Sequence, residues 1–132
     1  MSEQLRRVMC VEDDADIRMI LEFSLCQVGG YTVQCCADGA TALAEVTAFC
    51  PDLVLLDVMM PGMSGPETLA GLRALPELDG VPMVFLTAKA LFDEVEALLQ
   101  HGATGVIVKP FDPVALPAQL RIYWEHGRGP HH

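Results

Sequence analysis

The residues that could do chemistry in this 132-residue sequence each stand at the end of a short apolar run. The acidic stretch 12–14 follows the first run, Asp57 the second, Thr87 the third and Lys109 the fourth. Carboxylates brought together repel one another, and the usual relief is partial protonation or a hard divalent cation with oxygen ligands. Mg²⁺ suits such a group, because it needs only one or two carboxylates and keeps several waters. A hydroxyl and an ammonium beside the acids could bind phosphoryl oxygens, so the set is complementary to a phosphoryl group.

Each of these residues also has a simpler structural interpretation when it is taken alone. Asp14 or Asp16 could cap a helix, where an acid also suits the helix dipole. Asp57 could begin a turn, Thr87 could cap the following helix, and Lys109 could be a solvated surface charge. The four strand ends together favour a common site over four unrelated roles.

Lys109 adds a signal of its own, because the chain has only two lysines. The other, Lys89, lies two positions after Thr87. An ammonium directly after an apolar strand and before Pro110 is an unusual place for a charge that serves solubility alone. A functional role is therefore favoured for Lys109.

The apolar runs have the length of strands and show no alternation, which is typical of parallel strands covered on both faces. They occupy residues 8–11, 53–56, 81–86 and 106–108. A fifth strand, Tyr31–Cys35, alternates polar and apolar residues, which predicts a half-exposed edge strand.

Helical patterns lie between these strands: 17–28, 42–49, 64–76, about 92–101, and a last helix after Asp112-Pro113. Strict alternation of strand and helix predicts an α/β fold with a doubly wound, five-stranded parallel sheet and five helices. Right-handed crossovers then bring the carboxyl ends of all strands to one edge, where ligands bind.

Composition limits the classes of function. Eighteen acidic residues against eight Lys and Arg give a net charge of -10, which argues against binding to nucleic acid. No apolar run approaches the roughly 18 residues of a membrane span, and the N-terminus lacks a secretory signal, so a cytoplasmic protein is expected. The five cysteines are odd in number and lack C-x-x-C spacing, which predicts reduced thiols packed in the core rather than disulfides or zinc.

Four motifs carry a family resemblance: residues 11–14 (VEDD), 55–65 (LLDVMMPGMSG), 85–89 (FLTAK) and 108–111 (VKPF). In this order and spacing they resemble the receiver domain of bacterial two-component response regulators. The likeness covers about residues 5–125 and implies a flavodoxin-like sheet of strand order 2-1-3-4-5. We expect a receiver domain over residues 5–126, and a disordered tail or tag remnant over 127–132.

The resemblance implies that Asp57 is the phosphoacceptor. Asp14, Asp57 and the main-chain carbonyl of Met59 would hold Mg²⁺ directly, and Asp13 would act chiefly through a bound water. Thr87 would contact the phosphoryl oxygens.

Further roles are implied around the fourth and fifth strands. Lys109 would contact the phosphoryl oxygens as well, the main chain of Ala88 would bind the same group, and the Lys109-Pro110 bond would be cis. Met59 and Lys89 would influence the lifetime of the phosphoryl group. Family members carry an aromatic switch residue where this sequence has Val106. Either the active state would therefore differ less from the inactive one, or the change would run through the loop and helix after Thr87.

The resemblance also implies partners. A histidine kinase or phosphotransfer protein would supply the phosphoryl group, and a downstream protein target would be contacted around the fourth helix, fifth strand and fifth helix. We expect a signalling switch that phosphorylates itself in the presence of Mg²⁺ and slowly loses the group, either a monomer or a weak homodimer.

Other interpretations remain open. The chain could be a receiver excised from a larger protein such as a hybrid histidine kinase. A phosphatase with an aspartate nucleophile would place a second Asp at position 59, where this sequence has Met59. A scaffold that never binds phosphate is disfavoured by the acidic residues and Lys109.

Overall fold

A single parallel sheet forms the centre of the computed structural model, which describes residues 4–89 and 91–127. Its five strands lie in the order β2-β1-β3-β4-β5, and every pair of neighbours is parallel. The strands are β1 (Arg7–Val11), β2 (Thr32–Cys36), β3 (Leu53–Asp57), β4 (Met83–Thr87) and β5 (Gly105–Val108). The predicted fold class and strand order are confirmed.

Helices cover both faces of this sheet. They are α1 (Ala15–Glu22), α2 (Gly39–Phe49), α3 (Gly65–Arg73), α4 (Phe92–Gln100) and α5 (Leu116–Gly127). One apolar core joins the sheet to α2, α3 and α4, and a second joins the opposite face to α1 and α5. Among the described residues no helix has the length and apolar character that crossing a membrane requires.

Apart from Arg7, Asp57 and Thr87 at their ends, the three inner strands are apolar, because helices bury both of their faces. All five residues of β3 and of β4 are buried. The edge strand β2 instead begins with an exposed threonine and stays half-buried until Cys36, as its alternating sequence predicts. Cys10 and Cys36 are buried, whereas Cys50 is exposed, so the expectation of packing thiols holds for only part of the set.

Several boundaries differ by one or more residues from those read in the sequence, and two of the differences are informative. The strand predicted from residue 81 begins at Met83, because Pro82 has no N–H to donate to a sheet ladder. Gly127 closes α5 and is half-buried, so the first residue of the predicted tail is helical. The rest of that predicted tail, 128–132, lies outside the described residues.

Candidate functional site

Three carboxylates meet at the carboxyl ends of β1 and β3. Glu12 and Asp13 follow the last residue of β1, and Asp57 is the last residue of β3. One carboxylate oxygen from each of the three lies within 4.8 Å of the other two. Glu12 is 1% exposed and Asp57 4%, whereas Asp13 faces solvent, so the cluster has a buried floor and an open side.

Lys109 closes the floor of this cluster from the end of β5. Its Nζ lies 3.1 Å from Glu12 Oε1 and 3.1 Å from Asp57 Oδ1. The main-chain N–H of Lys109 donates to the Thr87 carbonyl at 2.7 Å, which ties the end of β5 to the end of β4. The Lys109-Pro110 peptide bond is cis, as the resemblance implies. A single ammonium therefore balances two buried carboxylates.

Burial sets the protonation behaviour of this group. It raises the pKa of Glu12 and the pKa of Asp57, because desolvation of the charged carboxylate outweighs the attraction of Lys109. Burial acts to lower the pKa of Lys109, but its close contacts with the carboxylates of Asp57 and Glu12 raise that pKa overall. Desolvation therefore disfavours the charged forms of Glu12 and Asp57, and a further cation would stabilise them.

Thr87 is the polar end of β4 and is buried beside this cluster. Its Oγ1 accepts a hydrogen bond from the main-chain N–H of Lys89 at 3.1 Å. Ala88 is exposed and lines a cleft of about 400 Å³ together with Lys109 and Pro110. The structure thus brings Thr87 and Ala88 to the same edge as Lys109.

The side chain of Lys89 lies at the surface. It is 68% exposed, and its Nζ lies 4.0 Å from a carboxylate oxygen of Glu94. Such an exposed and long ion pair contributes little to stability. Only the main chain of Lys89 contacts a predicted site residue among the contacts described, through its bond to Thr87.

Asp14 is not part of the carboxylate cluster, contrary to the prediction. Its Oδ1 accepts hydrogen bonds from the N–H groups of Asp16 at 2.8 Å and Ile17 at 3.2 Å, which makes it the N-cap of α1. A short carboxylate satisfies donors at a helix N-terminus that have no partner within the helix. Glu12 takes the place in the cluster that the sequence interpretation gave to Asp14.

Two further predicted residues lie at the margin of the site. Met59 is 72% exposed, and because its side chain is apolar it adds no polar group beside Asp57. Val106 is half-buried in β5, and the Tyr123 hydroxyl donates to its carbonyl oxygen at 3.2 Å. The aromatic side chain of Tyr123, from α5, therefore contacts β5 at Val106, the position where family members carry an aromatic residue.

The donor set fits a hard divalent cation. Glu12, Asp13 and Asp57 offer carboxylate oxygens, which Mg²⁺ prefers. Glu12 Oε1 is buried and, although close to the Lys109 ammonium, receives no aligned hydrogen bond. The cluster therefore combines the right ligand atoms with unspent acceptor capacity.

Comparison with known proteins agrees with this geometry. The family model described as "Response regulator receiver domain" matches residues 8–121. The chain belongs to this family. Such a domain is a signalling module rather than a metabolic enzyme, and its members are found in two-component systems.

Individual relatives support the assignment. The "DNA-binding response regulator MtrA" of Mycobacterium tuberculosis is 40% identical over 121 residues, which make up 92% of this chain and 51% of that protein. A solved structure of the chemotaxis response regulator CheY4 of Vibrio cholerae has a TM-score of 0.84 at 33% identity, over 90% of this chain and 98% of that one. The "putative response regulator" from Chloroflexus aurantiacus gives 0.83 at 28% identity, over 92% and 98%. The chain spans about half the length of the curated relatives it matches.

Glu12 is the site residue that the sequence interpretation missed. A signal was present, because Glu12 and Asp13 are the first two residues after β1, and strand ends are where the other site residues lie. Asp14 stands one residue before α1, the position at which capping acids are common. Placing Glu12 and Asp13 at the strand end and Asp14 at the helix cap would have located all three residues correctly.

Proposed function

We propose that this domain is a phosphorylation-dependent switch of a two-component system, with Asp57 as the phosphoacceptor. The observation that carries the proposal is the placement of Asp57, 4% exposed at the end of β3 and 3.1 Å from the Lys109 ammonium. A buried carboxylate held beside a cation and two further acids has no simpler structural use, since burying charge is costly.

The chemistry is nucleophilic attack by a carboxylate oxygen of Asp57 on the phosphorus of a phosphohistidine. The bond from phosphorus to the imidazole nitrogen breaks, the bond from phosphorus to the Asp57 oxygen forms, and the imidazole leaves with a proton from solvent. The Lys109 ammonium, already at the carboxylate, stabilises charge on the transferred oxygens. The Thr87 hydroxyl and the main-chain N–H of Ala88 complete the binding of those oxygens.

Glu12, Asp13 and Asp57 are proposed to hold Mg²⁺, and the main-chain carbonyl of Met59 is a further proposed ligand. A divalent cation at these oxygens supplies charge neutralisation for the phosphoryl group and the carboxylates. The chain's own contribution is to hold Glu12 and Asp57 buried and aligned through Lys109, while Asp13 remains open to solvent.

The phosphodonor is proposed to be a histidine kinase or phosphotransfer protein of the cytoplasm, and the output a change in contact with a downstream protein. Met59 and Lys89 are proposed to influence the lifetime of the acyl phosphate. Since the Met59 side chain is exposed and apolar, it orients no water for hydrolysis. The net charge of -10 favours protein partners over nucleic acid.

The test is incubation with MgCl₂ and a small phosphodonor such as acetyl phosphate, followed by intact mass measurement. We expect wild type to gain one phosphoryl group that is stable in acid and labile in base. Asp57→Asn should gain none, and neither should wild type in EDTA. The matched control is Asp93→Asn, an exposed acid at the start of α4, which should behave as wild type does.

Two outcomes would contradict the proposal. A phosphoryl group on Asp57→Asn would place the acceptor elsewhere in the chain. A wild-type protein that gains no group from acetyl phosphate or from any histidine phosphodonor would leave the acidic cluster as a scaffold that does not turn over phosphate.

A further inference from the structure

Arg18 is the basic residue that holds the acid-bearing turn between β1 and α1. Its Nη1 donates to the main-chain carbonyl of Glu12 at 2.8 Å and to the carbonyl of Asp13 at 2.9 Å. These are the first two residues after the strand and two of the three members of the carboxylate cluster. A single guanidinium nitrogen therefore binds the main chain of both acids.

Hydrogen bonds from main-chain N–H groups fix the rest of the turn. The N–H of Glu12 donates to the Cys36 carbonyl at 3.0 Å, and the N–H of Asp14 donates to Glu12 Oε2 at 3.1 Å. The Arg18 N–H donates to the Asp14 carbonyl at 3.0 Å. The carbonyls of Glu12 and Asp13 are bound instead by the side chain of Arg18.

We propose that Arg18 is a positioning residue for cation binding: by holding the carbonyls of Glu12 and Asp13, it fixes the direction in which their carboxylates leave the turn. This inference rests on the proposed function, because it concerns the same cluster. Asp57 lies on β3 and needs no such support, whereas Glu12 and Asp13 stand on irregular backbone. Without Arg18 the turn gains freedom that cation binding must then remove.

The charge of Arg18 opposes its positional effect. A guanidinium near the cluster repels a cation, so a purely electrostatic role predicts tighter Mg²⁺ binding when Arg18 is neutralised. A positional role predicts weaker binding. The sign of the change therefore separates the two.

The experiment is calorimetric titration of the intact chain with MgCl₂, for wild type, Arg18→Gln and Arg18→Lys. Outer groups that orient metal ligands are typically worth about 10- to 100-fold in metal affinity, and we expect a loss of about tenfold in Arg18→Gln. Arg18→Lys should lie between it and wild type. The matched control is Arg121→Gln, an exposed arginine on α5 whose loss changes the net charge equally and should leave affinity unchanged.

A second measurement uses the dependence of phosphorylation by acetyl phosphate on MgCl₂ concentration. In Arg18→Gln the half-saturating concentration should rise by the same factor, while the rate at saturating MgCl₂ stays near that of wild type. Unchanged or tighter Mg²⁺ binding in Arg18→Gln would overturn the inference, as would a lower maximal rate at unchanged half-saturation.

The two proposals fail in different ways. If Asp57 accepts no phosphoryl group, the function is wrong, yet calorimetry still measures whether Arg18 positions the cation ligands. If phosphorylation proceeds and affinity for Mg²⁺ does not respond to Arg18, only the positioning role is wrong. Should Arg18→Gln fold poorly by circular dichroism, the intermediate affinity expected for Arg18→Lys decides the question.

Discussion

At the level of single residues, the acids on either side of Asp13 have different roles. Glu12 is 1% exposed, with a carboxylate oxygen 3.1 Å from the Lys109 ammonium. Asp14 is exposed, and its carboxylate accepts two main-chain N–H bonds at the start of α1. Substitution of Glu12 should therefore affect the cation site, and substitution of Asp14 should affect the stability of α1.

Asp14→Ala is expected to lower the free energy of unfolding by about 1 kcal/mol, which is the typical value of an N-cap. Mg²⁺ affinity should remain that of wild type, since the cap contacts only main-chain groups of α1. Glu12→Gln should keep the cap but weaken Mg²⁺ binding by about tenfold or more, because a carboxylate ligand is lost. Urea denaturation and calorimetry measure the two quantities.

Asp14→Asn serves as the control for the cap, because asparagine caps a helix about as well as aspartate. It should restore stability without altering Mg²⁺ affinity. A variant of Asp14 that keeps its stability and loses Mg²⁺ would return this residue to the cation site.

The residues whose location was predictable from the sequence alone are those at the ends of buried strands. Asp57, Thr87 and Lys109 each follow an apolar run, and the geometry of a parallel sheet leaves their side chains at one edge. The acids after β1 are consecutive residues of an irregular turn, where the direction of each side chain depends on hydrogen bonds that have no fixed spacing in sequence. The bonds from Arg18 to the main chain of Glu12 and Asp13 are of that kind, and no periodic pattern predicts them.

At the level of elements, the start of α3 determines where the end of β3 lies. Ser64 caps the helix through the N–H of Glu67, and the Glu67 carboxylate accepts the N–H of Ser64, which is a capping box. The N–H of Gly65 donates to the Val58 carbonyl at 2.9 Å. A side chain on Gly65 would strike the main chain of Asp57 and Val58. The helix can begin here only because residue 65 has no Cβ.

Gly65→Ala is expected to cost about 2 kcal/mol or more of the free energy of unfolding, because the atoms in the way are backbone and cannot rotate aside. Gly71→Ala, later in the same helix, is the matched control. Its added Cβ would meet only the end of the Leu43 side chain, and alanine gains about 1 kcal/mol of helix propensity over glycine. We therefore expect Gly71→Ala to be within about 1 kcal/mol of wild type in urea denaturation. Equal losses from the two variants would disprove this account of the β3–α3 junction.

Periodicity predicted these elements because the pattern of burial repeats along each one. The capping box at Ser64 and the cap at Asp38 start α3 and α2 with residue types that favour helix N-termini. The winding of the chain after α1 was not predictable in this way. Phe23–Val28 continues the helix with wider, π-type turns, and the Ser24 hydroxyl there donates to the Pro113 carbonyl at 2.6 Å. A contact 89 residues distant in sequence leaves no periodic signal.

At the level of the whole molecule, the net charge of -10 and the acidic cluster are separate sources of repulsion. Exposed acids spread over the surface repel one another through water, and any salt screens that effect. The cluster is partly buried, where screening by salt is weak. Burial also raises the pKa of Glu12 and Asp57, so their charged forms destabilise the folded state locally.

These two sources should separate in thermal unfolding. NaCl is expected to raise the Tm of wild type and of Asp13→Asn by similar amounts, because it screens the surface. MgCl₂ at the same ionic strength should add a further increase in wild type, since a cation held by the folded cluster stabilises by about 2.7 kcal/mol at a concentration of about 100 Kd. Asp13→Asn should lose most of this increment, and EDTA should remove it from wild type.

Glu125→Gln is the matched control for that measurement, because it removes one exposed acid from α5 and leaves the cluster intact. It should keep the full increment from MgCl₂, so the increment depends on which acid is lost and not on the net charge. If Asp13→Asn and Glu125→Gln respond equally to MgCl₂, the cation acts on the surface as a whole. The cluster of Glu12, Asp13 and Asp57 would then have no cation of its own in the unphosphorylated state.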